Sequence, residues 1–304
     1  QGRVVGTAII ESADYVMFTG STETGKSIAT QSAARLVDFS AELGGKNAMV
    51  VTDDIDVERA AKVATIACFA NGGQLCIAIE RIYVLAEVAE QFTKAFAAAT
   101  RALRLGSEVG YGPEMGPLAS ADQLDKMREH VTDAVSKGAT VVAGGDARPE
   151  LAPWFHEPTI LTDVPASAAV YREETFGPLV SIYPVANVDE AIAAANDTEY
   201  GLNASVLCRD ASRGRAIARR LRAGTVNVND GYAAAWSSLD APMGGMGASG
   251  VGRRHGAVGL LKYTESQNIS TRSPLLDLVQ RPSNPREYAE RLSTALRLQK
   301  YLPF

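Results

Sequence analysis

The sequence predicts an α/β protein in which a mostly parallel sheet is flanked by helices. Short apolar runs alternate with longer amphipathic stretches, and residues that start or stop helices bound many of those stretches. Strands separated by helices are joined by crossovers, which favour parallel neighbours. With 46% hydrophobic and 21% charged positions among 304 residues, the chain has the composition of a globular protein with a large core.

The first part of the chain alternates strand and helix. An apolar run over 15–19 predicts a strand, after which Gly20 opens a helix reaching about residue 37. A second strand is expected over 47–51. Acidic residues then begin a helix that extends to about residue 70, because carboxylates suit the positive end of a helix. A third strand is expected over 81–85.

The same rhythm continues to about residue 230. Val88, Phe92, Phe96 and Leu103 mark one face of a helix that Gly106 ends. The remaining predicted elements are a helix ending at Gly138, a strand over 140–142, a helix over 188–196, a strand over 204–208, a helix over 211–222 and a strand over 225–229. Beyond about residue 272, prolines predict an irregular tail with one amphipathic helix near 285–300.

Composition also narrows the function classes. The chain has 30 basic and 35 acidic residues, a net charge of −5, which does not suit a nucleic-acid-binding surface. No apolar stretch is long enough to cross a membrane. Three cysteines are too few for a disulfide framework and favour a reducing compartment, so a cytoplasmic location is expected. His130 and His156 are expected at the surface or in loops, and no residue set has metal-ligand spacing.

The most conspicuous motif is the segment from Gly20 to Ser27, which matches the phosphate-cradling pattern G-x-x-x-x-G-K-S between a strand and a helix. Exposed backbone amides at a helix start bind phosphate in many protein families. A phosphate-loop nucleoside-triphosphatase is therefore one hypothesis. Its weakness is that no later switch or sensor pattern follows.

Two further segments carry candidate catalytic groups. Cys76 lies in a glycine-bearing turn, Asn71-Gly-Gly-Gln-Leu-Cys, where a thiol can reach a cavity, whereas Cys68 and Cys208 are expected in the core. Glu42 precedes two glycines and Lys46. A glutamate near a thiol can serve as general base, although a single loop glutamate is more often simply solvated.

Six motifs occur in order. They are Phe-Thr-Gly-Ser (18–21), Glu-Leu-Gly-Gly-Lys (42–46), Gly-Gln-Leu-Cys with Arg81 five places on, Glu-Glu-Thr-Phe-Gly-Pro (173–178), Gly-Thr-Val-Asn-Val-Asn (224–229) and Pro-Met-Gly-Gly-Met-Gly-Ala-Ser-Gly (242–250). From about residue 14 to 270 this series resembles the NAD(P)-dependent aldehyde dehydrogenase superfamily.

The resemblance implies a catalytic α/β domain and the last unit of a Rossmann-like cofactor domain. The implied ranges are 1–43 for the remnant of the NAD(P)-binding domain, 44–244 for the catalytic domain, 245–272 for a return to the cofactor domain and 273–304 for the tail. Because the chain begins at Gln1, we expect the family's N-terminal part, with its oxyanion asparagine, to be missing.

The resemblance also implies site residues. Cys76 is expected to be the nucleophile that adds to an aldehyde, and Glu42 the base that activates water against the resulting thioester. Gly20 and Ser21 are expected to meet the phosphates of NAD or NADP. Glu174 would then hold a ribose, and Phe176 would pack near the nicotinamide.

Substrate and assembly are implied less closely. The strings around Cys76 and over 252–256 look like those of succinate-semialdehyde dehydrogenases, and Arg81 or Arg254 would pair with the distal carboxylate. Gly247 stands where the family commonly has lysine. A homo-oligomer is expected, because the family pairs a C-terminal strand with a neighbour's sheet. The alternative is a catalytically incomplete piece acting only as a folded or oligomerising module.

Overall fold

The computed structural model describes residues 2–271 and 284–301. The chain divides into two units, Gln1–Tyr263 and Thr264–Phe304. The first unit contains two sheets and the helices that pack on them. In the second unit the described secondary structure is one helix, Pro285–Gln299, which Asn284 caps through a hydrogen bond from the Arg286 amide. This helix confirms the amphipathic segment expected near 285–300; residues 272–283 of the expected tail lie outside the described residues.

The smaller sheet has three strands, ordered β1-β2-β10. These strands are β1 (Tyr15–Thr19), β2 (Asp38–Glu42) and β10 (Gly250–Val251). Strands β1 and β2 are parallel, and β10 joins β2 in the antiparallel sense. Helix α2 (Thr22–Ala34) connects β1 to β2, and helix α1 (Gly2–Ser12) precedes β1.

The larger sheet has seven strands in the order β5-β6-β7-β4-β3-β8-β9. Their bounds are β3 (Asn47–Val51), β4 (Ile79–Leu85), β5 (Thr140–Ala143), β6 (Thr159–Thr162), β7 (Leu179–Val185), β8 (Asn203–Leu207) and β9 (Thr225–Val228). Neighbouring strands are parallel except at the β5–β6 pair. The predicted parallel sheet flanked by helices is therefore confirmed.

Helices cover both faces of the larger sheet. They are α3 (Val57–Phe69), α4 (Ala86–Arg101), α5 (Ala121–Ser136), α6 (Ala169–Arg172), α7 (Val188–Asn196), α8 (Ala211–Ala218) and α9 (Ala233–Ser237), whereas α10 (Gly256–Leu261) follows β10. Among the described residues, no helix is long and apolar enough to span a membrane.

Alternate residues of each central strand enter opposite halves of the core, as the two-residue period of a strand requires. On β3, Met49 and Val51 face a cluster that includes the stacked rings of Phe92 and Phe96 on α4. Val50, between them, belongs to the cluster containing residues of α7 and α8. Since both faces are covered, the central strands β3, β4 and β8 are buried along their whole length and are mostly apolar.

The sheet order brings three separate chain segments to one edge. Strands β7, β4 and β3 are adjacent and parallel, so their amino-terminal ends lie side by side. The segments that enter these strands contain, respectively, Glu174, Cys76 and Glu42. The candidate catalytic and cofactor residues therefore meet at the amino-terminal edge of the larger sheet, where the chain arrives from β2.

Several elements depart from the sequence prediction. Strands β2, β6 and β7 and helix α1 were not predicted, and α8 ends at Ala218 rather than near residue 222. His130 is buried on α5, which corrects its expected surface or loop position, whereas His156 lies in the loop segment between β5 and β6 as expected but is buried there. His130 Nδ1 shares a hydrogen bond with the Thr175 hydroxyl and His156 Nδ1 donates to the Glu157 carbonyl, whereas His156 Nε2 is buried with no hydrogen-bond partner among the described residues.

Candidate active site

Cys76 lies in a tight turn between α3 and β4. Helix α3 ends at Phe69, and a 3-10 turn follows in which Asn71, Gly72 and Gly73 all have positive φ. A β-carbon at Gly73 would lie 2.2 Å from the carbonyl oxygen of Gly177. This position therefore needs glycine both for its backbone conformation and for its close approach to the segment that carries Glu174.

Two asparagines fix the backbone carbonyls around Cys76. Asn47 Nδ2 donates to the Cys76 carbonyl and to the Ala78 carbonyl, at 2.8 Å each. Asn203 Nδ2 donates to the Ile77 carbonyl at 2.9 Å, and its own amide donates to Asn47 Oδ1 at 3.0 Å. The turn is thus bound to β3 and β8 by side-chain hydrogen bonds, which limits the movement of Cys76.

The Cys76 thiol is half-buried, whereas Cys68 and Cys208 are buried, as expected. Burial raises the pKa of Cys76, and the charges of Glu42 and Glu174 raise it further. A hydrogen bond at its own backbone amide and the charge of Arg254 act in the opposite direction. The resting side chain is therefore a thiol, and a nearby base has to remove its proton before it can attack.

Glu42 ends β2 and is only 5% exposed, so it is not the solvated loop glutamate that composition alone favours. Its backbone carbonyl accepts from the Gly20 amide at 3.1 Å, which ties it to the start of α2. Burial raises the pKa of Glu42, and the charges of Arg254, Lys262 and Arg253 lower it in part. A carboxyl whose pKa is raised is a stronger base once ionised.

Gly20 and Ser21 lie where β1 turns into α2. Ser21 is the N-cap, and its hydroxyl accepts from the Thr24 amide at 3.3 Å. Gly25 is buried one turn into the helix, where a β-carbon would lie 2.6 Å from Leu43 Cδ2. The first backbone amides of α2 have no partner within the helix, and together with the helix dipole they suit an anion.

Glu174 lies in the segment between α6 and β7. Its Oε1 accepts from the Gly45 amide at 2.8 Å, while Oε2 accepts no hydrogen bond within residues 2–271 and 284–301. Burial, followed by the charge of Glu80, raises the pKa of Glu174 to about 7. Phe176, two residues on, has a φ of 54°, a conformation that costs energy for a bulky side chain.

The two candidate arginines occupy different environments. Arg81 is 3% exposed, and its guanidinium donates to the carbonyls of Lys46, Ala194 and Ala195 and to the Tyr83 hydroxyl. These bonds use every N–H of the group, so the structure contradicts the expectation that Arg81 binds a substrate carboxylate.

Arg254 is exposed and lies within electrostatic range of both Cys76 and Glu42. Across the described part of the chain its guanidinium makes no hydrogen bond or ion pair. Of the two arginines, only Arg254 is therefore free to contact a ligand next to the nucleophile.

A buried ion pair next to the site went unnoticed in the sequence. Lys46 Nζ lies 2.5 Å from Glu80 Oε2, and both residues are at most 3% exposed. A signal for it was present, because Glu80 and Arg81 interrupt the apolar strand sequence Ile77-Ala78-Ile79 and Ile82. Among the described residues there is no group of three or more histidine, cysteine or acidic side chains that could hold a metal ion.

Comparison with known proteins agrees with this geometry. The model of the aldehyde dehydrogenase family matches residues 1–269. A protein of Mycobacterium ulcerans named "Putative succinate-semialdehyde dehydrogenase (NADP+) 2" is 60% identical over 270 residues, which are 89% of this chain and 52% of that protein. A glutarate-semialdehyde dehydrogenase of Pseudomonas putida is 40% identical over 264 residues, 87% of this chain and 53% of that protein.

Solved structures give the same result. The Anabaena variabilis protein described as a putative aldehyde dehydrogenase superposes with a TM-score of 0.84 at 34% identity, over 90% of this chain and 60% of that one. Betaine aldehyde dehydrogenase of Staphylococcus aureus, solved with NAD+, superposes with a TM-score of 0.80 at 33% identity, over 86% of this chain and 52% of that one. The chain spans about half the length of the curated relatives it matches. Nothing in these matches supports a nucleoside-triphosphatase, and the chain belongs to the aldehyde dehydrogenase family.

Proposed function

We propose that this chain carries the nucleophile and base of an enzyme that oxidises an aldehyde to its carboxylic acid with NAD+ or NADP+. The observation that supports this most is the convergence of Cys76, Glu42 and Glu174. These three groups come from segments far apart in sequence, yet the charges of both carboxylates act on the Cys76 thiol. A thiol beside a base is the arrangement that covalent catalysis requires.

The chemistry proceeds through the sulfur of Cys76. Glu42 takes the thiol proton, and the thiolate adds to the aldehyde carbon to give a thiohemiacetal, whose oxygen receives a hydrogen bond from the Cys76 amide. Loss of hydride from that carbon leaves a thioester. Glu42 releases the thiol proton to solvent and then takes a proton from water as the water attacks the thioester, and the Cys76 thiolate leaves as the acid is released.

The residues present fit a dinucleotide. Gly20 and Ser21 begin a helix whose free amides suit phosphate, and Glu174 keeps one carboxylate oxygen available for ribose hydroxyls. Phe176 follows on the same loop and is placed to pack against a planar ring. When bound, NAD+ or NADP+ supplies the hydride acceptor for the oxidation.

For the substrate we propose succinate semialdehyde. Arg253, Arg254 and Lys262 surround Glu42 with positive charge, which favours an aldehyde that carries a carboxylate. Arg254 is the residue we assign to that carboxylate, because an exposed guanidinium forms bidentate pairs with carboxylates. The semialdehyde names of both curated relatives described above support the same class of substrate.

The test is aldehyde-dependent formation of NADH or NADPH. Turnover of succinate semialdehyde is expected to disappear in Cys76→Ala, and the KM for succinate semialdehyde is expected to rise roughly tenfold in Arg254→Gln, with little change for an uncharged aldehyde. Unchanged turnover in Cys76→Ala would contradict the proposal. A folded chain with no turnover at all would favour the alternative, a module without catalytic activity of its own.

We also propose that the protein is a cytoplasmic homo-oligomer. Strand β9 is the last strand of the larger sheet, and an unpaired strand edge is a template for a neighbour's strand. Light scattering is expected to give a mass above that of one chain, and a monomer mass would refute the assembly.

A further inference from the structure

The carboxylate of Glu80 is an acceptor for the backbone of the cofactor loop. Glu80 is 3% exposed and lies on β4, four residues after Cys76. The Thr175 amide donates to both of its oxygens at 3.0 Å, and the Phe176 amide donates to Oε1 at 2.9 Å. Hydrogen bonds to an ionised acceptor are about twice as strong as neutral ones, so this contact holds the loop firmly.

Lys46 makes that acceptor possible. Its ammonium group lies 2.5 Å from Glu80 Oε2, and its side chain has no solvent exposure. A carboxylate this deeply buried needs a counterion, because burial of a lone charge costs several kcal/mol. Lys46 and Glu80 therefore form one unit, in which the lysine neutralises the charge of the glutamate and the glutamate accepts hydrogen bonds from the two backbone amides.

This unit joins the three segments that make up the site. Lys46 lies four residues after Glu42, and Glu80 lies four residues after Cys76. The two backbone amides that donate hydrogen bonds to Glu80 belong to the residues directly after Glu174. The buried pair therefore links the Glu174 loop to the segments that carry Cys76 and Glu42.

Additional side chains secure the same loop from the side of α5. Gln123 Nε2 donates to the carbonyls of Thr175 and Phe176 at 2.8 Å each, and His130 Nδ1 lies 3.0 Å from the Thr175 hydroxyl. The positive φ of Phe176 is a strained conformation, which persists only where surrounding contacts determine it.

We propose that Glu80, with Lys46 as its counterion, is a positioning residue that holds the Glu174–Phe176 loop in the conformation needed to bind the nicotinamide dinucleotide. The inference rests on the proposed function in one respect, the role of Glu174 and Phe176 in cofactor binding. Its geometric half, the anchoring of the loop by Glu80, is independent of that role and can be measured without cofactor.

The informative variant is Glu80→Gln, which keeps the shape and one acceptor oxygen but removes the charge. A single neutral substitution leaves Lys46 buried without a partner, so the double variant Lys46→Met with Glu80→Gln is measured beside it. Gln123→Ala loosens the same loop without disturbing a buried charge. Glu150→Gln, at an exposed carboxylate paired with Arg148, is the matched control.

Two readouts are taken on the full chain. Hydrogen exchange of residues 173–178 is expected to be roughly tenfold faster in Glu80→Gln and in the double variant, and less so in Gln123→Ala, with β3 and β8 unchanged. The Kd for NADP+, followed by fluorescence, is expected to rise roughly tenfold, while the KM for the aldehyde stays within about twofold.

Unchanged exchange at 173–178 in folded Glu80→Gln and double variants would overturn the proposal. Failure of the double variant to fold would also overturn it, because the charged pair would then be needed for folding as a whole rather than for holding this loop. If the exchange increases but the unaltered chain binds no dinucleotide, the loop anchor stands and the proposed function fails. Normal exchange with a weakened Kd would overturn the anchor while leaving the proposed function intact.

Discussion

Glu42 exerts two opposite effects on Cys76. Its negative charge raises the pKa of the thiol and so lowers the resting thiolate fraction, yet in the proposed mechanism it is the base that accepts protons. The Glu42→Gln variant tests both effects, because glutamine removes the charge and the base without altering the size of the side chain. The loss of the charge is seen in the pKa of the thiol, and the loss of the base is seen in aldehyde turnover.

Glu42→Gln is expected to be alkylated faster at Cys76 by iodoacetamide at a fixed pH, since the pKa of the thiol falls. Its aldehyde turnover is expected to fall at least about 100-fold, the usual contribution of a positioned base. Alkylation rates and steady-state kinetics check both halves. The control is Cys76→Ala, in which no alkylation is expected because Cys68 and Cys208 are buried. Slower alkylation and unchanged turnover would remove Glu42 from the mechanism.

Glu174 makes the stability of the cofactor-free chain depend on pH. Its pKa is raised from 4.5 to about 7, mainly by burial and then by the charge of Glu80, while the Gly45 amide and the charges of Lys126 and Lys46 lower it. The folded state thus binds this proton more tightly than the unfolded state. The associated stability is present below pH 4.5 and is lost as the pH rises to about 7.

In Glu174→Gln this loss should be absent. In urea unfolding, the free energy of unfolding of the variant relative to that of the parent chain is expected to increase as the pH rises from 4.5 to 7, by at most about 3 kcal/mol. Cofactor binding should weaken in the same variant, so a more stable protein binds less well. A difference that does not change with pH would show that the carboxyl titrates normally.

At the scale of elements, the glycine turn after α3 positions Cys76. Gly73 combines a φ of 68° with a β-carbon position 2.2 Å from the Gly177 oxygen, whereas Gly138, after α5, has a φ of 107° and open space around it. Alanine substitutions at these two glycines therefore distinguish the free-energy cost of a positive φ from the cost of a steric clash with the Gly177 oxygen.

Gly138→Ala is expected to cost about 1 kcal/mol of unfolding free energy, from its backbone conformation alone. Gly73→Ala is expected to cost about 2 kcal/mol more and to abolish turnover, because the loop carrying Glu174 has to move away. Urea unfolding of both variants measures the difference. Equal costs would indicate that the contact between the Cys76 turn and the Glu174 loop is loose.

The elements that sequence predicted well were those with a clear apolar period. Strand 15–19, strand 47–51 and helix 188–196 match the structure to the residue. Strand β7 contains Pro184, which normally argues against a strand, and β6 has only four residues. Strand β2 has polar residues at alternate positions, of which Ser40 and Glu42 are buried, and its two apolar positions make the strand pattern too short to stand out in the sequence.

The site residues likewise fall into those that the sequence pointed to and those that depend on the three-dimensional structure. Motif order pointed to Cys76, Glu42 and Glu174 through a family resemblance. The Lys46–Glu80 pair depends on β3 lying beside β4, and strand order is not written in the local sequence. Arg81 was assigned to substrate because its type suits a carboxylate, but its burial against protein carbonyls became visible only with the neighbouring α7 in place.

At the scale of the whole molecule, the site lies where the chain passes from the smaller sheet to the larger sheet. Ligands of parallel sheets usually bind beyond the carboxyl ends of the strands. Here β2 ends at Glu42 in the smaller sheet, and the chain then enters β3 at the amino-terminal edge of the larger sheet, beside the segments leading into β4 and β7. The carboxyl end of one sheet thus meets the amino end of the other, which brings the start of α2 and the turn that carries Cys76 together.

The central claim is that aldehyde oxidation passes through the sulfur of Cys76 and that Glu42 releases the product. Mass spectrometry of the Glu42→Gln chain, incubated with succinate semialdehyde and NADP+ and then digested, tests it most directly. We predict a succinyl thioester on the peptide containing Cys76, absent without NADP+ and absent in Cys76→Ala. An unmodified Cys76 peptide in a sample that still forms NADPH would contradict the account.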